Sequence, residues 1–82
     1  MNSEVIREIC DGNLNVLKQI PKSTITTKLS LLLLTNMENN KIDIQKNIDT
    51  NTYSSDFRYN CLYYMGQINN IDKCISYLKK IT

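Results

Sequence analysis

The chain has 82 residues, enough for one domain over 1–82 and too few for two. Ten basic and eight acidic residues leave a formal net charge of +2, too small an imbalance to argue for nucleic acid, and no stretch concentrates Lys or Arg. Histidine is absent, which removes the commonest general acid-base group, and the two glycines, Gly12 and Gly66, stand alone, so no phosphate-cradling loop exists.

Cysteine usage narrows the class further. Cys10, Cys61 and Cys74 are widely spaced and odd in number, with no Cys-x-x-Cys pair. That pattern fits neither a disulfide framework nor a zinc site. It points to reduced, buried thiols in an intracellular compartment, cytoplasmic or nuclear. The start, Met1-Asn2-Ser3-Glu4, lacks the basic and apolar regions of a secretory leader. The longest apolar run, Leu31–Leu34, is far short of the roughly 20 residues of a membrane span. Asn, Ile, Lys and Tyr are frequent while Ala is missing, which points to an A/T-rich genome.

The first element predicted is a helix over 4–11. Val5, Ile6, Ile9 and Cys10 form one apolar stripe, Ser3 is placed to cap it, and Glu4 favours its positive end. Gly12-Asn13 breaks the helix, since both residues tolerate left-handed backbone. A second helix over 14–20 turns Leu14, Leu17 and Ile20 inward and stops at Pro21.

The third helix runs from a cap at Ser23 or Thr24 to about Glu38. Ile25, Leu29, Leu32 and Leu33 share a face, whereas Leu31 and Leu34 lie on other sides. A helix apolar most of the way round is buried on more than one side. Leu propensity and the flanks favour helix over a strand across 29–34. Asn39-Asn40 reads as a turn. Ile42, Ile44 and Ile48 fit strand alternation in part and helix spacing in part. The polar segment 49–55, with Tyr53 its one aromatic residue, reads as a loop, so 39–55 stays open between helix, strand and loop.

A further helix, capped by Ser55 or Asp56, is predicted over 57–68 with Cys61, Leu62 and Met65 as its core stripe and Tyr64 and Ile68 beside it. Asn69-Asn70 turns the chain. The last helix, 71–81, carries Ile71, Cys74, Ile75, Leu78 and Ile81 on one face, with Lys79 and Lys80 where the helix dipole favours them.

The turns recur. Gly12-Asn13-Leu14-Asn15, Asn40-Lys41-Ile42-Asp43 and Asn69-Asn70-Ile71-Asp72 stand 28 and 29 residues apart, each a small or polar pair, an aliphatic residue, then Asn or Asp. This predicts an all-α fold: a small bundle or short solenoid of about three helical hairpins, near 3–20, 24–48 and 56–81. The segment Tyr59-Asn60-Cys61-Leu62-Tyr63-Tyr64-Met65 with Asn69 to Ile81 resembles a tetratricopeptide repeat. It lacks that family's tryptophan and closing proline, and its spacing falls short of the usual figure of about 34. Gly12-Asn13-Leu14-Asn15-Val16-Leu17-Lys18 resembles the start of the second helix of an ankyrin repeat, without the Thr-Pro-Leu-His hallmark. Both resemblances imply stacked helical hairpins that bind proteins.

The expected function is a non-catalytic protein-protein interaction module or a small adaptor subunit of an assembly. It has no cofactor, no metal and no catalytic residue; Ser54-Ser55-Asp56 lacks a base and reads as a solvated turn. Its partner is another protein or a second copy, contacted through Tyr63, Tyr64, Tyr77 or the off-face Leu31 and Leu34. Two alternatives stand beside it: a viral or parasite effector that occupies a host protein, and a small helical nucleic-acid-binding regulator.

Overall fold

A computed structural model describes residues 2–50 and 57–82, and the side chains of 2–50 and 61–82. Among the described residues the fold is all-α, with no strand. Helix α1 is Ser3–Cys10 and α2 is Leu14–Gln19, followed by a 3-10 turn at Lys22–Thr24. Two long helices complete the chain, α3 at Thr27–Thr50 and α4 at Phe57–Ile81.

The caps explain the helix starts, and they differ from the predicted ones. Asn2, not Ser3, caps α1: its Oδ1 accepts from the Val5 N–H at 3.1 Å. Asn13 caps α2 in the same way, accepting from Val16 N–H at 3.3 Å. Thr26 caps α3 through Oγ1, which accepts from Leu29 N–H at 3.1 Å. Ser23 and Thr24, the expected caps, are instead in the 3-10 turn. In each case an oxygen one turn ahead satisfies an amide that the helix cannot. The caps predicted for α4 at Ser55 or Asp56, together with Tyr53 and Ser54, lie outside the described residues.

The end of α1 is a Schellman turn. Gly12 N–H donates to Ile9 O and Asn13 N–H to Glu8 O, both at 3.0 Å, and Gly12 takes a φ of +103°. Asn13 keeps a negative φ of −84°, so Gly12 alone carries the left-handed backbone. α2 ends at Gln19: Ile20, which precedes Pro21, takes extended backbone, and Pro21 cannot continue the helix.

Two expected turns are not turns. α3 runs unbroken through Asn39-Asn40 and takes in Ile42–Ile48, and α4 runs unbroken through Asn69-Asn70. The hairpins predicted at 24–48 and 56–81 are therefore each a single long helix. Of the segment expected as a loop, residues 49 and 50 end α3, and the rest lies outside the described residues. α3 and α4, long helices only six residues apart in sequence, pack against each other as an antiparallel pair.

The core is one cluster at one end of that pair. Ile9 and Cys10 of α1, Leu17 of α2 and Ile25 meet Leu33 and Met37 of α3 and Ile71, Cys74, Ile75 and Leu78 of α4. Four residues of the predicted face of the last helix are thus buried, and the fifth, Ile81, is partly buried against them. Every buried residue of α3 lies at or before Met37, and every one on the described part of α4 at or after Ile71. α1 and the turn after it reach as far as Asn40 and Asn70, and beyond those residues no described side chain of α3 or α4 is fully buried. The molecule is a four-helix head and a two-helix arm. Its shape reflects this: the radius of gyration is 14.0 Å, against about 12 Å for a compact domain of this length.

Candidate functional site

The three recurrent sequence motifs meet where head and arm join. Asn40 donates from Nδ2 to the Cys10 carbonyl at 3.0 Å, satisfying an acceptor that α1 leaves open at its C-terminus. Lys41 forms an ion pair with Asp72. The Schellman turn presses on α4: a Cβ on Gly12 would lie 2.9 Å from the Asn70 Cβ and 3.1 Å from the Ile71 amide. The likeness among the motifs therefore marks one cross-section of the molecule. Glu8, Asp11, Asn13, Asn70 and Lys73 line a shallow polar cleft there.

The arm carries most of the exposed large apolar side chains among the described residues. Its inward stripe is half-buried: Lys41, Ile44 and Ile48 on α3, and Cys61, Tyr64, Gln67 and Ile68 on α4. Outside stand Leu62 at 70% exposure, Tyr63 at 63%, Met65 at 56% and Ile42 at 53%. Leu62 and Met65, expected as core, are thus on the surface, with Cys61 only half-buried. The reason is phase. Continued through Asn69-Asn70, the face set by Ile71, Cys74, Ile75 and Leu78 brings Tyr64, Gln67 and Ile68 inward and turns Leu62 away. The tyrosine rings of 63 and 64 meet edge-on, centroids 5.6 Å apart. Gln67 Nε2 donates to the Tyr63 hydroxyl at 3.4 Å, and Cys61 Sγ lies 3.7 Å from Met65 Sδ. No charged residue occurs in 61–70.

The five residues predicted to meet a partner divide between the two parts. Tyr63 is exposed and Tyr64 half-buried on the arm. Tyr77 and Leu34 are partly buried against the head core. Leu31, 59% exposed, stands on the outer face of α3 in the head. Tyr63 and Tyr77 are 14 residues apart on one helix, hence about 21 Å along it, and do not form one patch. The side chain of Tyr59 lies outside the described residues. Leu32, predicted inward, is 48% exposed and lines a small apolar groove with Thr26 and Leu29.

The thiols are set apart by burial. Desolvation raises the Cys10 pKa, the Asp11 charge adds to the rise, and a hydrogen bond from Asn36 offsets part of it. Burial raises Cys74 as well, with Cys10 a lesser cause. Among the described residues no three cysteine or carboxylate side chains gather as a metal site requires, and no helix is long and apolar enough to cross a membrane. The chain matches no known protein family, and no curated protein or solved structure is significantly similar to it.

Proposed function

We propose that this chain is a non-catalytic interaction module, or a small subunit of an assembly, that docks through its arm. One observation carries the reading: Leu62, Tyr63 and Met65 stand more than half exposed on a charge-free stretch of α4. Interfaces are enriched in Tyr and Met and depleted of charge at their centres. Of the large apolar side chains that stand exposed among the described residues, Leu31 and Leu32 are on the head and Ile42, Leu62, Tyr63 and Met65 on the arm, so the arm is where a partner gains most. Leu31 offers a secondary contact, and Tyr77 and Leu34 support the head from within. The absence of histidine and the raised thiols of Cys10 and Cys74 favour binding over catalysis.

Affinity capture from the native source tests this, with the wild type beside a Leu62→Asp, Tyr63→Ala double variant. Both positions are exposed, so the variant should keep its helicity. Partners recovered by the wild type should be lost, with binding at least about tenfold weaker. Undiminished recovery by a folded variant places the docking surface elsewhere.

A further inference from the structure

We draw no further inference here: the strongest candidate, the shallow polar cleft between α4 and the turn after α1, is lined by Glu8, Asp11, Asn13, Asn70 and Lys73, and among the described residues no buried polar side chain is left unpaired to point to a ligand for it.

Discussion

The surroundings of Cys10 and Cys74 favour the neutral form of both thiols. Burial is the main cause at both, and it raises their pKa values from the ordinary thiol value of 9.0. In the unfolded chain these thiols ionise near that value, while the native state keeps its protons. Where the native state binds more protons than the unfolded one, stability falls as pH rises. The contribution is fully present below 9.0 and is lost above it as pH climbs through the folded values. Lys41 acts in the same direction at higher pH. Its value is raised by the hydrogen bond to Asp72, but a pair that is still partly open to solvent adds little. The urea midpoint should therefore hold through neutral pH and drop above pH 9, and Cys10→Ala with Cys74→Ala should flatten that drop. A midpoint that rises in alkali would contradict the burial of both thiols.

At the scale of the element, Asn39 and Asn40 separate propensity from tertiary contact. Asn is a poor helix former, by up to about 0.7 kcal/mol relative to Ala, and a pair of them reads as a turn. α3 continues through both because Asn40 is engaged, with its amide on the Cys10 carbonyl. Asn39 is exposed. Asn39→Ala should be neutral or slightly stabilising, whereas Asn40→Ala should fall short of it by about 1 kcal/mol, the net worth of a hydrogen bond. Chemical denaturation of the two variants checks the difference, and equal effects would remove the bond.

The same contact shows what could be read in advance. Local pattern was enough for α1, for α2 and for the buried face of Ile71–Leu78, where apolar spacing and burial agree. It was not enough for the joins at Asn40 and Asn70, which are decided by residues about 30 and 60 positions away in sequence, Cys10 and Gly12. An error in a join propagates. Reading 57–68 as a separate helix leaves its phase free and lets Leu62 and Met65 pass for core. Reading it as one helix with 71–81 fixes the phase and exposes them. The candidate site was legible at Tyr63 for this reason only in part: its type suggested an interface, but its neighbours on the surface depended on the join.

For the whole molecule the division into head and arm implies two levels of stability. In the head, α3 and α4 are covered by α1 and α2; in the arm they have only each other, and no described side chain there is fully buried. Regions with few buried contacts open at lower free energy than the rest. Amide hydrogen exchange should therefore be fastest in the arm, at 42–50 and 61–68, and slowest around Leu33, Met37, Cys74 and Leu78. Uniform protection along α3 and α4 in dilute solution would mean that the arm is as stable as the head.

The Schellman turn against α4 bears on what distant relatives of this chain must retain. Ile9, Leu33 or Leu78 can each give way to another aliphatic residue if the total volume is kept. Gly12 has no such substitute, because its φ of +103° and the 2.9 Å approach to Asn70 each exclude a side chain. A homologue too diverged to align along its length would still keep a glycine two residues beyond its first helix, set close against the backbone of the last. That pairing, rather than the apolar pattern common to countless helical chains, is the mark by which its kin could be recognised.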